Sequence, residues 1–123
     1  MTKQPAVLVV EDDKWLAEQY GRQLSAAGFV VRIASDGIAA MDMIDAARPD
    51  AIVLDVFLPG PNGVVLLHEL QSHSDIAKIP VIVCTASAAD IPKGSLDSYG
   101  VRRVLDKTTM EPLDVVAAVR GVL

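Results

Sequence analysis

Four apolar runs in this chain each end in a side chain that could take part in chemistry. Asp55 follows one run, the acidic residues Glu11-Asp12-Asp13 follow another, and Thr85 and Lys107 follow two more. Short apolar runs are typical of buried parallel strands, and open α/β folds bind ligands outside the carboxyl ends of their strands. Because an unpaired carboxylate in the core would cost several kcal/mol, we place Asp55 at a strand end. The pattern predicts one site in which acids, a hydroxyl and an amine bind a cation and a phosphate.

Strand and helix signals alternate at a spacing of roughly 20 to 25 residues, which indicates repeated βα units. The pattern predicts helices over about Asp13 to Ala26, from Asp36-Gly37, over about Gly63 to Ser72, and from Glu111-Pro112. Between Ala86 and Tyr99, Pro92 and Gly94 are poor residues for a helix interior, so we predict a short helix that begins near Pro92. No linker or repeat interrupts the sequence, which predicts a single domain over residues 1–123.

The sheet that these units predict is parallel, five-stranded and covered by helices on both faces, because crossover connections are right-handed. Chemical groups follow the first, third, fourth and fifth strands, whereas the second strand ends in Ala34-Ser35. The flavodoxin-like order 2-1-3-4-5 explains this difference, since it places the second strand at an edge. Arg32, in the middle of that strand, also favours an edge position. The predicted fold class is a three-layer α/β fold with (βα)5 connectivity.

This strand order would make the carboxylates of Asp12 and Asp55 close neighbours. Neighbouring carboxylates repel each other, and a divalent cation between them removes the repulsion. A set of carboxylates, a carbonyl and water suits Mg²⁺, which prefers oxygen ligands. We therefore predict Mg²⁺ as the cofactor of this site.

The composition argues against several classes of protein. The formal net charge of -5 and the lack of a long run of Lys and Arg argue against direct binding to nucleic acid. No apolar stretch approaches the roughly 18 residues of a membrane span, and residues 1–5 lack the apolar region of a signal peptide. The single cysteine, Cys84, cannot form an internal disulfide, which suits a reducing cytosol. We expect a cytoplasmic domain that binds neither membrane nor nucleic acid.

Six motifs stand in order along nearly the whole chain. They are Leu8–Asp13, Ala34–Gly37, Pro49–Asp55, Leu58–Gly63, Ile79–Ala86 and Lys107. Together they resemble the receiver domain of two-component response regulators, in particular chemotaxis regulators. Each motif alone is weak, but six collinear motifs at the length of one domain are specific. The resemblance implies a signalling domain rather than an enzyme, one that assists only its own phosphorylation and dephosphorylation.

By this resemblance, Asp55 is the phosphoacceptor and takes a phosphoryl group from a phosphohistidine on a sensor histidine kinase or a histidine phosphotransfer protein. The metal ligands that the resemblance implies are Asp55, Asp12, Glu11 through water, and the backbone carbonyl of Phe57. The register of the acidic pair stays open at this point, because Asp12 and Asp13 could take the places of Glu11 and Asp12.

The phosphate contacts that the resemblance implies come from the Thr85 hydroxyl, the Ala86 amide and the Lys107 ammonium. Phosphoryl transfer depends on positioning and charge neutralisation more than on covalent steps by the protein. The metal and Lys107 would screen the approach of an anionic phosphoryl group to the anionic Asp55.

Two residues depart from the family pattern. Thr108 replaces the proline that usually follows the lysine, and Val104 replaces the aromatic residue expected three positions before the lysine. Without that ring, we predict that switching acts through Thr85 and the segment from Ser87 to Ser98. This segment, the fifth strand and the helix from Glu111 to Leu123 would form a face for a downstream protein partner or for self-association.

Two alternative functions remain. A degenerate receiver would act as a phosphorylation-independent protein-interaction module, and Val104 and Thr108 keep this hypothesis open. A phosphohydrolase of the haloacid dehalogenase type also uses a strand-end aspartate, but it needs a second acid two residues later, where this chain has Phe57. We expect either a stand-alone receiver or a receiver cut from a longer chain.

Overall fold

A five-stranded parallel sheet forms the centre of the fold in a computed structural model that describes residues 4–56, 63–92 and 94–123. The strands are β1 (Ala6–Val10), β2 (Val30–Ala34), β3 (Ala51–Leu54), β4 (Val81–Thr85) and β5 (Val101–Asp106). The helices are α1 (Lys14–Ala26), α2 (Gly37–Ala46), α3 (Gly63–Gln71) and α4 (Pro112–Val122). The strands pair in the order β2-β1-β3-β4-β5, which confirms the predicted flavodoxin-like fold class.

Both faces of the sheet are covered, and the side chains of β1 show how. Leu8 and Val10 pack in a buried cluster with residues of α2 and α3, whereas Val7 and Val9 pack in a second cluster with residues of α1 and α4. Strands buried on both faces are apolar at every position, which explains why continuous apolar runs predicted them. Within the described residues, no helix has the length and apolar character that a membrane crossing requires.

Strand β2 lies at one edge of the sheet, as the charged Arg32 in the middle of this strand indicated. The Arg32 guanidinium donates hydrogen bonds to the backbone oxygens of Met43 and Ala47, at 3.0 and 2.5 Å. These carbonyls lie at the C-terminal end of α2; Met43 O also accepts from Ala47 N at 3.0 Å, and a carbonyl oxygen can accept two hydrogen bonds. Arg32 therefore ties the edge strand to the helix that follows it.

Two aspartates begin helices directly behind the strand ends. The Asp13 carboxylate accepts a hydrogen bond from Leu16 N at 3.1 Å and caps α1, and Asp36 accepts one from Ala39 N at 2.8 Å and caps α2. An aspartate cap satisfies an amide that the first turn of a helix leaves unpaired. The caps therefore place the starts of both helices at the end of the sheet where the polar side chains lie.

The prediction of a short helix that begins near Pro92 is wrong. The described part of this segment contains two turns of 3₁₀-helix, Ala88–Asp90 and Asp97–Tyr99, with Pro92 between them. Gly94 has a φ of 81°, a left-handed conformation that interrupts a right-handed helix. Proline lacks the amide that a helix interior needs. The two residues that weakened the predicted helix are thus enough to break it into separate turns.

Candidate functional site

Three carboxylates lie together at the carboxyl ends of β1 and β3. The two strands are paired so that Val10 stands opposite Leu54, and Asp55 N donates to Val10 O at 3.1 Å. One carboxylate oxygen from each of Glu11, Asp12 and Asp55 lies within 4.8 Å of the others. The strand order thus brings together the acids that the sequence placed at two strand ends, and their oxygens could hold a metal ion.

The Lys107 ammonium is the cation of this cluster. Its Nζ lies 2.7 Å from Asp55 Oδ2 and also contacts Glu11 Oε1, and its side chain is 13% exposed. Burial alone would lower the pKa of Lys107, but the hydrogen bonds and charges of Asp55 and Glu11 raise it above its ordinary value of 10.5. Lys107 therefore stays protonated at neutral pH and offsets part of the repulsion between the acids.

Glu11 is the most deeply buried acid of the cluster, with 3% of its surface exposed. Burial raises the pKa of Glu11 above its ordinary value of 4.5, although the hydrogen bond and the charge of Lys107 oppose this shift. The second carboxylate oxygen accepts a hydrogen bond from Asp13 N at 3.3 Å. Because the ionised form of Glu11 is incompletely compensated, a further cation beside it would stabilise the site.

The three consecutive acids Glu11, Asp12 and Asp13 have different roles in the structure. Glu11 and Asp12 lie in the carboxylate cluster, and Asp12 is exposed. Asp13 instead turns to the amide of Leu16 and caps α1. Of the two registers left open by the sequence, the geometry thus brings the pair Glu11 and Asp12 next to Asp55.

Thr85 is the last residue of β4, and it is hydrogen-bonded to the loop after β5 that carries Lys107. Thr85 is buried; its hydroxyl oxygen accepts from Ser87 N at 3.2 Å, and its carbonyl accepts from Lys107 N at 3.0 Å. The next residue, Ala86, is exposed at the same end of the sheet. The predicted metal ligand Phe57 lies outside the described residues.

The sequence analysis assigned no part in the site to two residues that shape it, Gly63 and Asp106. Gly63, the first residue of α3, donates its amide to Val56 O at 3.0 Å, next to Asp55. Asp106 precedes Lys107 and accepts two hydrogen bonds from Thr108. The Asp-x-Thr spacing is a recognisable signal for such a turn, whereas the close approach at Gly63 depends on the tertiary fold.

The sequence profile of the response regulator receiver domain matches residues 7–120. The chain belongs to this receiver domain family. It is the receiver domain of a two-component response regulator, and such domains are signalling domains rather than classical enzymes.

Sequence relatives and solved structures that are similar to this chain include several response regulators. The chain is 44% identical over 80 residues to the response regulator MprA of Mycobacterium avium, an overlap of 65% of this chain and 34% of that protein. The chain thus spans about a third of the length of the curated relatives it matches. The chemotaxis response regulator CheY4 of Vibrio cholerae has a TM-score of 0.88 at 25% identity, covering 98% of this receiver and 100% of that chain. A Mn²⁺-bound response regulator, Rcp1, has a TM-score of 0.74 at 27% identity, covering 96% and 91%.

Proposed function

We propose that this receiver domain accepts a phosphoryl group on Asp55 from the phosphohistidine of a sensor histidine kinase or a histidine phosphotransfer protein, in a Mg²⁺-dependent reaction in the cytoplasm. The observation that carries the proposal is the position of Asp55. Its carboxylate follows β3, bonds to the Lys107 ammonium and lies within 4.8 Å of carboxylate oxygens of Glu11 and Asp12.

The chain's own donors fit a Mg²⁺ ion. The three carboxylates carry more negative charge than the single ammonium of Lys107 balances, and the pKa of Glu11 is already raised. Oxygen donors with room for water suit Mg²⁺. Asp12 and Asp55 would bind the ion directly and Glu11 through water, with the Phe57 carbonyl as a further ligand outside the described residues. When bound, the ion neutralises charge on the incoming phosphoryl group. The structure of Rcp1, a similar response regulator, is described as a Mn²⁺-bound form, which supports the binding of a divalent cation by this receiver as well.

The transfer step follows from the groups at the strand ends. A carboxylate oxygen of Asp55 forms a bond to phosphorus while the bond from phosphorus to the histidine nitrogen breaks, and the electron pair of that bond stays on the imidazole. Lys107, already 2.7 Å from Asp55 Oδ2, would then pair with the phosphoryl oxygens. The hydroxyl of Thr85, which accepts from Ser87 N, still has its own proton to donate. The Ala86 amide would provide the remaining hydrogen bond.

Replacing Asp55 by asparagine should abolish labelling by acetyl phosphate in Mg²⁺. The amide nitrogen and oxygen of asparagine keep the size of the side chain but provide no carboxylate nucleophile. The measurement is intact-protein and peptide mass spectrometry, read as a base-labile acyl phosphate. Asp45→Asn is a matched control, because Asp45 lies exposed on α2, and it should label like the wild-type protein.

Undiminished label in Asp55→Asn would contradict the choice of acceptor. A wild-type protein that takes no label but still binds its partner would favour the degenerate interaction module instead. Steady release of phosphate from a small phosphoester would favour a phosphohydrolase.

We also propose that the segment from Ser87 to Ser98, β5 and α4 form the face for a downstream partner or for self-association. A cavity of about 400 Å³ lies between the 3₁₀ turns and β5, with apolar and arginine side chains in its wall. Val104 is 39% exposed on β5, and Leu113 is 60% exposed on α4. These exposed apolar side chains are the kind of surface that a protein partner covers.

Binding of beryllofluoride, a phosphoryl mimic, should change hydrogen exchange at Thr85 and in the segment from Ser87 to Ser98. The reason is the hydrogen bond from Ser87 N to the Thr85 hydroxyl, which must adjust when that hydroxyl turns to the phosphoryl group. Exchange mass spectrometry with Mg²⁺, with and without beryllofluoride, provides the measurement. Amides of α2 act as the internal control and should not change. A response confined to Thr85 would place the switch in another segment.

A further inference from the structure

The turn after β5 holds Lys107 between two residues that are bonded to each other. Asp106 Oδ1 accepts a hydrogen bond from Thr108 N at 2.8 Å and another from Thr108 Oγ1 at 2.6 Å. These bonds come from the side chain and the backbone of Thr108, and they lower the pKa of Asp106 below its ordinary value of 3.8. Asp106 is therefore a carboxylate acceptor at neutral pH, and its two bonds close a loop around Lys107.

The backbone of the same turn is fixed on both sides. Asp106 pairs with Thr85 in the sheet, and Lys107 N donates to Thr85 O at 3.0 Å. The Asp106 carbonyl accepts from Met110 N at 2.9 Å and from Thr109 N at 3.2 Å. The Asp106 side chain thus satisfies the one amide between Lys107 and Thr109, that of Thr108, and completes the turn.

The position of this turn determines where the Lys107 ammonium lies. A lysine has four flexible carbons, and ordering them costs about 2 kcal/mol of rotamer entropy. The ammonium must nevertheless reach Asp55 and Glu11 together. At residue 108 a proline would fix φ, but this chain has a threonine, which has no ring to lock φ at one value. The two hydrogen bonds to Asp106 supply the missing restriction.

We propose that Asp106 is a positioning residue for Lys107, acting through the turn that its carboxylate closes with Thr108. The inference rests on the proposed function, in which Lys107 contacts the phosphoryl group. The Asp106 carboxylate accepts its two hydrogen bonds from Thr108, and in this way it restricts the backbone from which Lys107 extends. Its removal should weaken every interaction that depends on the ammonium.

Two substitutions at Asp106 separate its hydrogen bonds from its charge. Asp106→Ala removes the acceptor, and we expect the rate of Asp55 labelling by acetyl phosphate and the affinity for beryllofluoride to fall about fivefold. Asp106→Asn keeps an amide oxygen that accepts both bonds, so it should stay within about twofold of the wild-type protein. Thr108→Val removes only the hydroxyl donor, so its labelling rate and its affinity for beryllofluoride should lie between those of the two Asp106 variants. Thermal unfolding of each variant without ligand checks that the fold is intact.

A double-mutant cycle with Lys107→Ala distinguishes positioning from a merely structural role. If Asp106 acts through Lys107, adding Asp106→Ala to Lys107→Ala should not slow labelling further. The same fivefold loss in both backgrounds would overturn the inference, as would an Asp106→Ala protein that labels like the wild type. A wild-type protein that neither labels nor binds beryllofluoride would instead contradict the proposed function itself.

Discussion

Replacing Lys107 by methionine should lower the free energy of unfolding of the metal-free protein by about 3 kcal/mol near neutral pH. Methionine keeps the length of the side chain but removes its charge. Glu11 and Asp55 are 3% and 8% exposed, and the Lys107 ammonium contacts both. Without it, carboxylates within 4.8 Å of each other lose the cation that offsets their repulsion. An uncompensated buried charge is among the most destabilising changes that a single substitution makes.

The loss of stability in Lys107→Met should depend on pH in a defined direction. The pKa of Lys107 is raised above 10.5, so its contribution is complete below that value and disappears as pH rises through the folded-state pKa. The pKa of Glu11 is raised from 4.5, so the folded state favours its protonated form and Glu11 destabilises the fold as pH rises through that raised pKa. The difference between wild type and Lys107→Met should therefore be large near neutral pH and narrow under acid, where the carboxylates are neutral.

Urea denaturation at several pH values, in a chelating buffer, measures this difference. The control is Lys78→Met, because Lys78 is exposed, and it should change stability by less than about 0.5 kcal/mol. Added Mg²⁺ should restore much of the stability of Lys107→Met, since it binds the folded state and brings positive charge to the same oxygens. Asp12→Ala should remove that recovery. A metal-free Lys107→Met protein as stable as the wild type would contradict this charge balance between Lys107 and the carboxylates.

The acids were predictable from the sequence because strand ends in a parallel sheet meet at one edge. The apolar run before Asp55 and the run before Glu11 each predicted a buried strand, and the order 2-1-3-4-5 followed from the polar residues at the strand ends. The helix predicted from about Asp13 already indicated a place for Asp13 at a helix start, but the register of the acidic pair stayed open, since adjacent acids differ only in which way each side chain turns. Only the three-dimensional structure shows Asp13 capping α1.

The segment between β4 and β5 was only partly predictable. Pro92 and Gly94 indicated a weak helix, but local preference alone does not decide between one short helix and two 3₁₀ turns. The turn at Asp106 has a local signal that the sequence contained, an acceptor two residues before a threonine. Gly63 has no local signal at all, because its constraint comes from Val56. Local features could thus be predicted from the sequence, whereas close approaches between distant segments could not.

Replacing Gly63 by alanine should destabilise the protein by about 3 kcal/mol or more. A Cβ at this position would lie 2.7 Å from the Asp55 carbonyl oxygen and would overlap the backbone of Val56. Both neighbours are backbone atoms at the end of β3, so no side chain can rotate away. Either the start of α3 or the strand end must move, and the hydrogen bond from Gly63 N to Val56 O, 3.0 Å long, would be strained.

Gly121→Ala is the matched control for this substitution. Gly121 lies in α4 with nothing within 4 Å of the position of a Cβ, so alanine there should be neutral or stabilising by up to about 1 kcal/mol. Urea denaturation of both variants gives the comparison, and the labelling of Asp55 under conditions where each remains folded gives a second. Because the clash involves the Asp55 carbonyl, Gly63→Ala should also label more slowly than its loss of stability alone explains. Equal stability of the two variants would show that α3 can shift away from β3 without cost, and the close approach would then not constrain the acceptor.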